Sequence, residues 1–234
     1  MTDVRPLGPE TIFWRLTGDW RTMLLAGRAL VMQTAYPAVG AGVGEHSVYK
    51  TDPYGRLDRT MRSVMAQVYG GEQAVEEGRR LREMHRDIKG VDAKGRRYSA
   101  LNPDAYLWVH ATAFEGFLVF LERFDRPASQ AETQQLFDEW RRLGLVLGIP
   151  DRQLPRTVPE FWETWDRLVA NLEDNWDDAV ALAGEARARI WRLYMAGSAL
   201  NFEANRTQIH QLLGVKPDGG NSQMPLRPDW EPLT

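Results

Sequence analysis

Residues 104–124, DAYLWVHATAFEGFLVFLERF, constrain the fold more than any other stretch of the chain. At helical spacing the segment is apolar on most faces, and a helix without a broad polar face must be surrounded by other elements. Asn102 offers an N-cap and Pro103 a proline at the first helical position, so its start is marked too. The remaining chain supplies helices to surround it and little else. Apolar residues recur at helical spacing through PETIFWRLTGDWRTMLLAGRALVMQTAY, with Gly18 as a break between two helices. Another helix follows TDPYG and runs through RLDRTMRSVMAQVYG to the neighbourhood of Gly70. From Glu72, EQAVEEGRRLREMHRDIKG reads as helix to Lys89, with Gly90 as the C′ glycine. Ser129 with Glu132, and Thr157 with Glu160, form capping boxes for AETQQLFDEWRRLGLVLG and EFWETWDRLVANLED. A final long helix or helix pair is expected over residues 177–213.

Three stretches break this pattern. Pro37 and the glycines at 40, 42 and 44 predict a loop. VDAKGRRYSALNP is a turn-rich connection with room for a short hairpin, and KPDGGNSQMPLRPDWEPLT is an irregular tail. No β-α-β rhythm and no repeat is present. The expected fold is all-α: a single multi-helix domain of about eight or nine helices over residues 1–215, followed by an irregular tail over 216–234.

Charge and composition exclude several function classes. Twenty-nine basic against thirty-two acidic residues give a formal charge of −3, so nothing draws the chain to nucleic acid. Cysteine is absent, which removes disulfides, thiolate metal sites and cysteine nucleophiles. The opening MTDVRPLGPETIFWRL has neither the basic start nor the apolar run of a secretory signal, and a cytoplasmic location is expected. The apolar run TMLLAGRALVM is interrupted by Arg28 and falls short of the roughly 20 residues that cross a bilayer, so no transmembrane segment is expected, although a peripheral membrane contact stays open. Nine tryptophans imply a core of large side chains or a pocket wide enough for a flat apolar ligand.

Few residues carry chemistry. VGAGVGEHS resembles a nucleotide loop only superficially, because Glu45 stands where the third glycine belongs and no strand precedes it. No acidic pair stands out as a dyad, and NLEDNWDD reads as a solvated face or cap. Among four histidines, His210 in NRTQIHQLLG reads as surface or packing, and His46 either swings into a pocket or caps the next turn. His85 and His110 differ, since each lies within an apolar-periodic helix, where a buried imidazole has to be hydrogen-bonded or coordinated. His85 would share a face with Leu81, Met84, Ile88 and Lys89. Spacing leaves it equally a satisfied core histidine or a ligand. The absence of cysteine and of a compact His/Asp/Glu triplet argues against a zinc or non-haem iron site, whereas one imidazole suffices for haem iron.

HSVYKTDPYGRLDRTMRSVMAQVYG, LREMHRDIKG, GRRYSALNPDAYLWVHAT and LGIPDRQLPRTVPEF, in that order over roughly residues 46–162, resemble the helical mpaB-type oxygenase family that includes latex clearing protein. The resemblance implies an all-α fold, haem b, and cleavage of carbon–carbon double bonds in isoprenoid chains with dioxygen. By the same resemblance His85 matches the proximal iron ligand, and Lys89 matches a basic residue four positions later on the same helix. Arg56 and Thr60 match an arginine and threonine near the distal side, where they would contact dioxygen or a propionate. Arg59 joins the cofactor-contacting set. His110, in the family-typical WVHAT, is expected mainly as a structural partner and second as the iron ligand. The family's distal glutamate falls near Gly40, where this chain has no acidic residue; Glu45 would replace it only with different loop spacing.

The implied substrate is a hydrophobic small molecule, isoprenoid or alkene-bearing, oxidised with dioxygen. A second reading keeps the scaffold without haem. Arg56, Arg59 and His85 would then be internal ion-pair and hydrogen-bond posts around a pocket that binds a lipid-like molecule without turning it over.

Overall fold

A computed structural model of the chain describes residues 5–172. Among the described residues it is all-α apart from one small hairpin. Helices α1 (Ile12–Gly18) and α2 (Met23–Ala35) are separated by a 3-10 turn at Trp20–Thr22, as the break at Gly18 predicts. They are followed by α3 (Pro37–His46), α4 (Pro53–Tyr69) and α5 (Gln73–His85). The hairpin β1 (Lys89–Val91) and β2 (Arg97–Ser99) leads to α6 (Pro103–Phe124), α7 (Gln130–Val146) and α8 (Val158–Ala170). The expected helices over 177–213, His210, the tail over 216–234 and most of NLEDNWDD lie outside the described residues.

The apolar stretch behaves as its pattern requires. Helix α6 packs against α2, α7 and α8, and buries Leu107, Trp108, Ala111, Phe114, Phe120 and Leu121. Around Phe114 the rings interlock: Phe114 meets Phe161 edge-on at 4.7 Å, and Phe161 meets Trp140 edge-on at 5.1 Å. Trp108 and Trp165 lie 5.0 Å apart. Each large side chain removed from water contributes about 1.5–3 kcal/mol, and edge-on contacts add to that. The abundant tryptophan therefore serves a packed core, at least at Trp108 and Trp140.

Local caps hold where they are expected. Asn102 Oδ1 accepts from the Asp104 and Ala105 amides at 3.0 and 3.1 Å. Ser129 and Glu132 form the full reciprocal box. At α8 only half of the box closes: Thr157 Oγ1 accepts from the Glu160 amide, while the Glu160 carboxylate accepts from Arg156, one residue before the cap.

Three boundaries differ from the sequence reading, each for a tertiary reason. The glycine-rich segment is not a loop but helix α3, started by Pro37. None of Gly40, Gly42 and Gly44 has a positive φ; instead Gly42 is buried with its bare Cα side 3.3 Å (as a Cβ would lie) from Ile88 and 3.9 Å from Tyr98. Helix α4 begins at Pro53, ahead of Arg56, because Asp52 caps it through the Gly55 amide at 2.9 Å. Helix α5 stops at His85 rather than Lys89. Residues beyond it pair with the other hairpin strand, Lys89 with Ser99 and Gly90 with Tyr98, and the Ala100 amide donates to the Ile88 carbonyl. Gly90 is thus not a C′ residue: a Cβ there would stand 2.7 Å from the Tyr98 hydroxyl. Lys89 and Ile88 do not continue the helical face of His85.

Candidate functional site

Helices α4 and α5 are antiparallel, joined through Gly70 and Gly71, the latter at φ +54°. The Ser63 hydroxyl donates to the Glu77 carboxylate across the pair and sets its register. By that register Arg56, early in α4, falls at the same end of the pair as His85, which closes α5, while Thr60 falls about one turn nearer the connection.

The half-buried His85 ring has a defined tautomer. Nδ1 lies 2.7 Å from the Leu81 carbonyl oxygen, which can only accept, so Nδ1 carries the proton and the lone pair is left on Nε2. Nε2 has no hydrogen-bond partner among the described residues. Burial pulls the imidazole pKa below its ordinary value, opposed by the bond to Leu81 and helped by the charge of Arg80. The ring stands perpendicular to Tyr106, 6.3 Å between centroids. Tyr106 is held in turn by its hydroxyl, which donates to the Leu147 carbonyl at 3.3 Å, and by the Arg82 guanidinium 5.6 Å over its ring. Sequence reasoning passed over Tyr106 and Arg82. Arg82 is legible in the spacing, three residues before His85 on one helix, whereas nothing along the chain links Tyr106, on α6, to His85.

The other candidates are differently placed. The half-buried Arg56 has no ion-pair partner among the described residues. Thr60 is exposed and its hydroxyl donates to the Arg56 carbonyl at 2.9 Å. Arg59 is paired with Asp52 at 3.2 Å, at the N-cap of α4. Lys89 is exposed in β1. His110 is 4% exposed, stacked on Trp140 at 4.7 Å, with Nε2–H donating to the Trp140 carbonyl at 2.9 Å. Burial brings its pKa down to about 4, so the ring is neutral at pH 7.

Gly40 cannot carry a longer side chain in this arrangement, because a Cβ would stand 2.5 Å from the Thr34 carbonyl oxygen. Nor does Glu45 take its place. Five residues along a helix turn through about 140° relative to the start, and the Glu45 carboxylate accepts a hydrogen bond from the Tyr98 hydroxyl. That bond pushes the Tyr98 pKa up to about 12. His46 Nε2 lies 3.1 Å from the same hydroxyl and, with the tyrosine proton directed at Glu45, donates to its oxygen. His46 therefore neither caps the next turn nor stands apart; it ties the end of α3 to the hairpin that follows His85.

Two cavities lie away from His85. One of about 120 Å³ between α2 and α6 is lined by Leu25, Ala26, Ala29, Ala113 and Phe117, beside the Arg28–Glu115 pair. The other, about 500 Å³, is open and lined largely by the stems of polar residues, between Glu10 and the Gln134–Asp138 face of α7. Among the described residues no group of three or more His, Cys, Asp or Glu side chains could hold a metal ion. A single imidazole with its Nδ1–H pinned and Nε2 unpartnered fits a metal whose remaining donors come from a macrocycle. No helix among the described residues is long and apolar enough to cross a membrane.

The chain is similar to curated proteins over part of their length. An uncharacterized protein of Mycobacterium tuberculosis is 29% identical over 158 residues, 64% of this chain and 61% of that protein. A protein named "Probable fatty acid methyltransferase" from the same organism is 49% identical over 63 residues, 26% of this chain and 15% of its own. Another of that name from Pseudomonas putida is 51% identical over 47 residues, 20% of this chain and 12% of its own. The chain thus spans 61% or less of the length of these relatives. No solved structure matches it. The family described as ER-bound oxygenase mpaB/B'/rubber oxygenase, catalytic domain, matches residues 14–227, and the chain belongs to that family.

Proposed function

We propose that this domain is a haem b-dependent oxygenase that acts with dioxygen on a hydrophobic, isoprenoid or otherwise alkene-bearing small molecule. The observation that carries the reading is the tautomer of His85: Nδ1–H is directed at the Leu81 carbonyl at 2.7 Å, which leaves the Nε2 lone pair free of any hydrogen bond among the described residues. Haem b, when bound, supplies dioxygen activation, while the protein sets access and polarity. His85 would hold the iron. The burial that lowers its pKa favours the unprotonated imidazole, the form that ligates. Arg56 and Thr60, one turn apart on α4, would offer a guanidinium and a hydroxyl to dioxygen or to a propionate. Arg59 and Lys89, both exposed, would serve only the charged rim. His110 is a packing post rather than a ligand, since its Nε2–H is committed to Trp140.

Where the family's distal base is expected, Gly40 packs against Thr34, so proton abstraction by a carboxylate at that position is not part of the proposal. The names of the two methyltransferase relatives speak for a lipid-like substrate class. The helical domain is taken to run over residues 1–215, with 216–234 as a tail.

A haem-free reading, in which the scaffold binds a hydrophobic molecule without turnover, is favoured by one feature: the apolar cavity of about 120 Å³ between α2 and α6. Absorption spectra of protein produced with ample iron and haem precursor separate the two. A Soret band that is lost in His85→Ala, with helicity retained by circular dichroism, supports haem ligation. A flat spectrum and no tight binding of added haem b would leave the lipid-binding reading.

A further inference from the structure

The His85 ring is fixed at one nitrogen by its own helix, yet one hydrogen bond leaves an imidazole free to swing about that contact. What limits the swing comes from other elements. Tyr106, on α6, stands perpendicular to the ring at 6.3 Å. Its own position is determined twice: the hydroxyl donates to the Leu147 carbonyl just beyond α7, and Arg82 lies over the ring at 5.6 Å. The Arg82 stem passes over Gly148, where a Cβ would stand 2.7 Å from its Cδ; Gly148 has φ +76° and so turns the chain there without a side chain. Arg82 has no ion-pair partner among the described residues, so no carboxylate draws its guanidinium away from the tyrosine. Helix α5, through Arg82, and the chain just beyond α7, through Leu147, thus hold one aromatic ring of α6, and that ring abuts the imidazole.

We infer that Tyr106 is the positioning residue for His85: its ring, clamped between Arg82 and the Leu147 carbonyl, holds the imidazole with Nδ1–H on Leu81 and Nε2 presented outward. The ring is the working part and Arg82 over it is the main hold, with the 3.3 Å hydroxyl bond a lesser one, so a phenylalanine should substitute for it and an aliphatic side chain should not. The inference deepens the proposed iron-ligand role of His85 and rests on it only for its consequence in haem binding. The orientation itself can be read without haem.

The test is nitrogen-15 NMR of the histidine side chains, which distinguishes the Nδ1–H from the Nε2–H tautomer, on the full chain at neutral pH. The unsubstituted protein and Tyr106→Phe should show His85 predominantly as the Nδ1–H form. Tyr106→Ala should show a mixture, and so should Tyr106→Leu, which keeps apolar volume and remains informative if the alanine variant does not fold. Haem b titration of the same proteins should show affinity falling about 10- to 100-fold in the alanine or leucine variant and unchanged in Tyr106→Phe. A folded leucine or alanine variant that keeps the single Nδ1–H tautomer would overturn the positioning role. If the tautomer responds as expected while no variant, nor the unsubstituted protein, gives a Soret band, positioning stands and the haem reading falls.

Discussion

His110 and Trp140 exchange two hydrogen bonds: His110 Nε2–H donates to the Trp140 carbonyl, and Trp140 Nε1–H donates to the His110 carbonyl, each at 2.9 Å. Their rings stack at 11°. The pair joins α6 to α7 within the buried core. Close by, the Cβ of an alanine at Gly144 would meet His110 Nε2 at 2.9 Å. Replacing His110 with alanine removes a buried donor and leaves a cavity beside Trp140. We expect a loss of about 2–4 kcal/mol in unfolding free energy, read by urea denaturation, with no selective loss of haem binding in the variant that remains folded.

The same residue makes stability depend on acid. In the folded protein His110 titrates near 4, whereas the unfolded chain binds that proton near its ordinary value of 6.5. The unfolded state therefore binds more protons between those values. The contribution of His110 is fully present above 6.5, falls as pH drops toward 4, and stops changing below it. With about 1.4 kcal/mol per pH unit the loss approaches 3 kcal/mol. Denaturant midpoints measured from pH 7 to pH 4 should fall accordingly, and more shallowly in His110→Phe. His85, lowered in the same direction, adds to the slope that remains.

Glu139 caps a helix that is distant in sequence. It is 4% exposed, and its two carboxylate oxygens accept from the Ile12 and Phe13 amides at 3.1 and 2.8 Å, with Gln135 donating at 2.8 Å. A carboxylate at a helix N-terminus satisfies free amides and meets the positive end of the dipole. Glu139→Gln should cost about 1–2 kcal/mol. Glu139→Ala should cost more, since the two amides stay buried without an acceptor. Thermal melts followed at the α1 aromatics would show α1 loosening first.

Gly78→Ala tests close packing against helix propensity. In an exposed helix the change stabilises by about 1 kcal/mol. Here a Cβ would stand 2.1 Å from the Val146 carbonyl oxygen and 3.1 Å from its carbon, backbone that cannot rotate away. We expect the sign to reverse, with a net loss of about 1–3 kcal/mol in urea denaturation. A gain would mean that α5 can move off α7 freely.

Much of this protein is determined locally, and local rules reach about one helical turn. The pattern of α6 required a surrounded helix, and it is one; Asn102 and Ser129 cap where they stand; Gly18 divides α1 from α2; and VDAKGRRYSALNP holds a hairpin. Motif order was likewise sufficient for the family, because similarity survives as a series of short segments. Tertiary structure decided what depends on distant partners. Glycines that read as a loop became α3, since bare Cα positions let it approach Thr34, Ile88 and Tyr98. Strand pairing stopped α5 at His85 and moved Lys89 off its face. The Glu139 cap spans 127 positions, and Tyr106 reaches His85 from another helix, so neither spacing could have been read along the chain. Hydrophobic periodicity specifies which side of a helix is buried; only the packed partners specify which polar atoms are satisfied and which, like His85 Nε2, have no hydrogen-bond partner among the described residues.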